Sequence, residues 1–129
     1  MQQLIDCDIA NNGCAGGWTS KGFAYTSKYG LMSKADYPYT GVKGACQYDE
    51  TKAVFKNTGM VQERYVSNAD LKRLVTKQPV SVGIVVTDAF RAYKGGIITE
   101  DSARCSGEKK SINHAVTIVG FGKTEARTL

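Results

Sequence analysis

A single histidine, no Cys-x-x-Cys pair and no long apolar run mark this chain before any motif does. One imidazole and cysteines at these spacings cannot complete a common four-ligand zinc set, so no metal site is expected. The longest strongly apolar run, Val82 to Val86 with its flanks, is far too short to span a bilayer. No signal-like segment opens the sequence, because Met1-Gln2-Gln3-Leu4 leads directly into folded-looking sequence. Internal repeats and low-complexity tracts are missing too. The formal charge of +5 is spread from Lys21 to Arg127 with no dense, aromatic-interleaved stripe. That pattern reads as a solvated basic surface, and neither nucleic acid nor membrane is expected as a partner.

What is present describes a globular chain. At 129 residues, with 42% hydrophobic and 22% charged residues, it has enough length and apolar content for a packed core. The four cysteines, Cys7, Cys14, Cys46 and Cys105, are few for a disulfide mini-protein and many for a cytosolic domain. If all four pair, three connectivities are open.

Taken in order, residues 1–8 read as the end of a short helix with Leu4, Ile5 and Cys7 on its apolar side. Residues 9–17 form a loop dense in Asn and Gly. Trp18, Gly22, Tyr25 and Tyr29 then recur at helical spacing, with Thr19 or Ser20 as a cap and Gly30 as a left-handed terminator. Residues 31–52 are a turn-rich connection that needs something to tie it down. A β-segment over 54–66 turns at Asn57-Thr58-Gly59. Ser67-Asn68-Ala69-Asp70 forms a capping box ahead of the stripe Leu71, Leu74 and Val75. Val80, Val82, Ile84 and Val86 alternate as a strand with one face in a core. A helical turn over Asp88 to Tyr93 precedes a short strand at Ile97-Ile98-Thr99 and a polar loop from Glu100 to Ser111. The composition shifts from helix and loop to mainly β near Thr51-Lys52, and the class is α+β.

The stretch with most chemical content is Ile112 to Gly122. His114 sits at the mouth of a β-branched run, 114–119, that reads as a buried strand. An imidazole at the end of a stiff strand is held in one orientation, as general acid–base chemistry requires. A histidine that merely hydrogen-bonds at a strand end fits the same position.

The segments QQLIDCD, NNGCAGGW, DYPYTGVKGACQYD, KQPVSVGI, FRAYKGGII and INHAVTIVGFG decide between them. In order and spacing they resemble the papain-like cysteine peptidases from residue 2 to about residue 122. The resemblance implies a two-lobe α+β fold, one lobe helical and one a β-barrel, with the active site in the cleft between. Residues 1–52 would be the C-terminal part of the helical lobe and 53–122 the N-terminal part of the barrel lobe, both incomplete; 123–129 would be a divergent tail.

It further implies a Cys-His mechanism in which a thiolate attacks and the histidine acts as base and then acid. His114 would be that histidine. Gly16 and Gly17 would pair their backbone with a peptide substrate, since glycine permits close approach. Trp18, Thr19, Gly83, Asn113 and Ala115 would line the main specificity pocket or flank it. Trp18 also fits plain helix-start core, and Gly83 a strand glycine relieving a helix contact. Cys7 and Cys46 match a family disulfide, which would hold down residues 31–52. Cys14 and Cys105 match cysteines whose partners lie in family segments not found in this sequence. No cofactor is implied, and the natural compartment would be lysosomal, vacuolar or extracellular.

The family nucleophile lies in a Cys-Gly-Ser-Cys-Trp type motif upstream of QQLIDCD, and the oxyanion glutamine lies further upstream. The orienting asparagine belongs to an Asn-Ser-Trp-Gly segment, where this sequence has Lys-Thr-Glu-Ala-Arg-Thr-Leu after Gly122. None of these elements occurs among the 129 residues. The expectation is therefore a fragment of a papain-like endopeptidase, inactive by itself, whose partners are a peptide or protein substrate and the remainder of the peptidase. The alternative is a non-catalytic relative that binds peptides or partners.

Overall fold

The computed structural model describes residues 1–64, 66–99 and 112–123. The chain divides into two compact units, Met1–Arg64 and Tyr65–Leu129.

The first unit is built on a short helix, α1 (Gln2–Cys7), followed by a 3-10 turn at Gly13–Ala15 and helix α2 (Thr19–Lys28). Strands β1 (Leu31–Met32) and β2 (Ala53–Phe55) pair antiparallel, with a second 3-10 turn at Glu50–Lys52 between them. The face that α1 buries is polar. Gln2 and Gln3 are its most enclosed side chains, while Leu4 and Ile5 are half-buried. Apolar periodicity pointed to the other side of this helix.

Two buried amides are tolerable because their donors and acceptors are matched. The Gln3 amide donates to the Tyr25 hydroxyl (3.1 Å) and the Gly30 carbonyl (2.9 Å) and accepts from Met32 N–H (2.8 Å). Gln2 donates to Asp6 (2.8 Å) and the Val42 carbonyl (2.7 Å) and accepts from the N–H groups of Thr40 and Gly41. Asp6 accepts from Gly44 N–H (2.7 Å) and the Tyr37 hydroxyl (2.9 Å). The long connection of residues 31–52 is thus fastened to α1 at many points. The disulfide Cys7–Cys46, spanning 39 residues, adds the covalent one.

Helix α2 ends as its sequence predicts: Gly30, at φ +81°, donates its N–H to the Thr26 carbonyl. Its start differs. The N-cap is Trp18, with no side-chain cap, and Thr19 is already the first helical residue. The β-segment expected over 54–66 shrinks to Ala53–Phe55. Its partner β1 has only two residues and a register irregularity, and beyond it the Asn57 side chain accepts from the Thr26 hydroxyl and donates to the Gly59 carbonyl.

The second unit contains α3 (Asn68–Val75), β3 (Val80–Ile84), α4 (Asp88–Arg91) and β4 (His114–Ile118). Ser67 caps α3 by accepting from Asp70 N–H (3.1 Å) and donating to its carboxylate (2.7 Å), the expected arrangement. Thr87 caps α4 through Phe90 N–H. Strands β3 and β4 pair antiparallel from Val80 with Ile118 to Ile84 with His114. Ile97-Ile98-Thr99 is irregular and not a strand: Gly96 turns the chain just before it at φ +84°, and its carbonyl accepts from the Tyr93 hydroxyl. Among the described residues the sheets are two separate two-stranded pairs, and no barrel is closed. No described helix is long and apolar enough to cross a membrane.

Candidate functional site

In the first unit the expected substrate-binding residues lie where the loop after α1 meets the start of α2. The Gly13–Ala15 turn ends in Gly16, whose carbonyl accepts from Asn12 N–H (3.0 Å). Gly17 and Trp18 follow, Trp18 in extended conformation and 61% exposed. That exposure sets aside a core role for the indole.

Asn11 fixes this segment. Its side-chain carbonyl accepts from Trp18 N–H (2.8 Å), and its amide NH₂ donates to the Trp18 carbonyl (3.3 Å) and to Asp8 (2.7 Å). Asp8, 4% exposed at the end of α1, also accepts from Ala10 N–H (3.1 Å). A Cβ on Gly17 would lie 2.2 Å from the Asn11 carbonyl oxygen. Glycine is therefore required there by a neighbour in the same loop, whatever else approaches it. Sequence reasoning missed Asp8 and Asn11. Their signal was two Asx residues three apart in a glycine-rich loop, a spacing that favours side-chain-to-backbone bonding.

The second unit brings Gly83, Asn113, His114 and Ala115 to the same end of the β3–β4 pair. Gly83 lies opposite Ala115, and Ile84 opposite His114. The imidazole-bearing residue is exposed at the first position of β4, its backbone set by the ladder. Where the ladder ends, Asn113 extends it. Its backbone N–H donates to the Ile84 carbonyl (3.2 Å). Its side chain accepts from Val86 N–H (2.7 Å) and donates to the Val86 carbonyl (3.1 Å). The residue immediately before His114 is thus anchored by three hydrogen bonds to β3 and its continuation. Ile112 lies beside the exposed Gly83: a Cβ there would meet the Ile112 side chain at 2.8 Å. Val86 is the partner that strand alternation could not reveal, since it acts through its backbone.

Cys14 is a free, exposed thiol with its sulfur 3.8 Å from the Gly41 carbonyl. Cys105 and the loop expected over 100–111 lie outside the described residues, as does most of the expected tail of residues 123–129. Among the described residues no group of His, Cys, Asp and Glu is placed to hold a metal ion.

Comparison with known proteins gives one consistent result. A family model described as papain family cysteine protease matches residues 1–128. A cathepsin L-like proteinase from Fasciola hepatica is 39% identical over 124 residues, covering 94% of this chain and 37% of its own length. The oryzain gamma chain of Oryza sativa subsp. japonica is 41% identical over 126 residues, covering 94% of this chain and 34% of its own. Digestive procathepsin L 3 from the larval midgut of Tenebrio molitor superposes with a TM-score of 0.85 at 32% identity, over 96% of this chain and 40% of that one. The chain spans about a third of the length of the two curated relatives.

Proposed function

The chain belongs to the papain family of cysteine proteases, and from that membership we propose that it supplies the histidine and part of the peptide-binding surface of a papain-like endopeptidase. His114 is the general base and acid, and the rest of the peptidase is its partner. The observation that supports this reading is the exposed His114 at the head of β4, with Asn113 anchored beside it by Val86 and Ile84. The ladder fixes where the His114 side chain leaves the backbone, and the orienting asparagine of the remaining peptidase would set its ring against the thiolate.

Gly16 and Gly17 present backbone to an extended peptide, and Trp18, Thr19, Gly83, Asn113 and Ala115 contribute to the walls that select its side chains. The lobe assignment of residues 1–52 and 53–122 belongs to the same proposal. So does a lysosomal, vacuolar or extracellular compartment, with which the Cys7–Cys46 disulfide agrees.

By themselves the 129 residues bind peptide weakly and do not cleave it. Their sequence holds no thiol at the nucleophile's family position, and without a nucleophile there is no covalent step. The test is hydrolysis of a fluorogenic peptide carrying an apolar residue two positions before the cleaved bond, under reducing, mildly acidic conditions. The unmodified chain, the thiol-alkylated chain and His114→Ala should share one background rate. Turnover that alkylation abolishes would show that Cys14 or Cys105 attacks, and would overturn this assignment.

A further inference from the structure

The loop that carries Gly16 and Gly17 has an internal brace. Asn11 uses both ends of its side-chain amide on the backbone of Trp18, and buried Asp8 holds the NH₂ end. Asp8 in turn is fixed by Ala10 N–H and by its place at the end of α1. A buried carboxylate thus orients an amide that clamps one exposed extended residue. Gly17 is pressed so close to that amide that a side chain has no room. The amide and carboxylate are set in a fixed relation because each has more than one bond.

We propose that Asn11, oriented by Asp8, is a positioning residue for peptide binding: it holds Trp18 extended, and Gly17 against its own side chain, so that the Gly17–Trp18 segment lines up with a substrate backbone. This rests on the peptide-binding reading given above. Neither Asn11 nor Asp8 touches the peptide. Both act through the backbone of the segment that does. An amide is required at position 11 because Trp18 presents an N–H and a carbonyl together, and only an amide side chain answers both in one plane. A carboxylate at 11 would still accept from Trp18 N–H, but would face the Asp8 carboxylate with no proton to donate.

Trp18 is the sole tryptophan, so its emission reports the segment directly. The full chain is titrated with an acetylated, amidated tetrapeptide bearing leucine and phenylalanine, read by Trp18 fluorescence and by calorimetry. Asn11→Ala and Asn11→Asp should each weaken binding by about tenfold or more. The exchanged double variant Asp8→Asn/Asn11→Asp restores a donor–acceptor pair between the two positions but leaves the Trp18 carbonyl without its donor, so its affinity should recover in part, ending between that of Asn11→Asp and that of the parent. Thermal unfolding of each variant is followed in parallel, since a general loss of structure would not be relieved by the exchange. Parent-like affinity in Asn11→Ala overturns the positioning role while leaving peptide binding intact. So does a double variant no better than Asn11→Asp. A parent chain with no saturable response in either readout overturns the peptide-binding reading, and the positioning role with it.

Discussion

Three hydrogen bonds converge on the enclosed side chain of Gln3, from Met32 N–H and to the Gly30 carbonyl and Tyr25 hydroxyl. Replacing it with leucine keeps the bulk and removes the matching, leaving backbone groups without partners. Gln3→Leu should therefore lose about 2–4 kcal/mol of unfolding free energy by chemical denaturation, more than an apolar substitution usually costs at a buried site. Asp6 makes a second residue-scale prediction. Partial burial pushes its carboxyl pKa up, but hydrogen bonds from Gly44, Gln2 and Tyr37, with the charge of Lys43, outweigh it and hold the value below 3.8. Its stabilising effect is complete above the unfolded value and is lost as pH falls through the lower folded one. Asp6→Asn should then unfold more easily than the parent near neutrality, with a shallower loss of stability below about pH 4 in acid titrations. Neither role was legible in the sequence. Hydrophobic periodicity assigns the apolar side of α1 to the core, whereas Gln2, Gln3, Asp6 and Asp8 earn their places through partners far along the chain.

Elements with local signals were legible, and those that depend on distant partners were not. The Ser67 cap, the Gly30 terminator and the strands at Val80 and His114 each rest on residues close in sequence, and each is found. But β3 stops at Ile84 without alternating burial, and β4 is largely exposed where a buried strand was expected, since burial depends on what packs against a strand. The short β2 and the irregular Ile97-Ile98-Thr99 segment depend instead on what pairs with them, which composition does not state. The site divides the same way: the glycines, Trp18 and His114 stood out, while Asp8, Asn11 and Val86 act through backbone contacts. The disulfide links the two kinds, because a resemblance named its ends and the fold gives its purpose. Closing a loop across 39 residues stabilises by about 3–4 kcal/mol through the unfolded chain. The double variant Cys7→Ser/Cys46→Ser should lose that amount. Its residues 36–48 should become the first cleaved in limited proteolysis, since Gln2 and Asp6 alone must then hold them. Protection equal to the parent's would mean that α1 holds the connection without the covalent link.

At the largest scale, many of the described apolar side chains are exposed and few are buried. Among the described residues only Tyr25, Tyr37 and Val75 are buried apolar side chains. Ile9, Val54, Val61, Val119 and Phe121 are all more than half exposed, with Val61 at 87% and Val119 at 81%. Single exposed apolar residues are ordinary, but a core this thin beside so many is not. The β3–β4 pair adds two strand edges with no described strand beside them, and such edges recruit other chains. Expressed as 129 residues, the chain should associate as concentration rises and unfold over a broad thermal range. Size-exclusion with light scattering between micromolar and hundred-micromolar concentration measures the first, and calorimetry the second. The charge on Val119→Lys should interrupt association if the end of β4 is where chains meet, at no cost to the disulfide-braced first unit. A monodisperse monomer with one sharp transition would instead show that the polar network around α1 suffices to hold the fold closed.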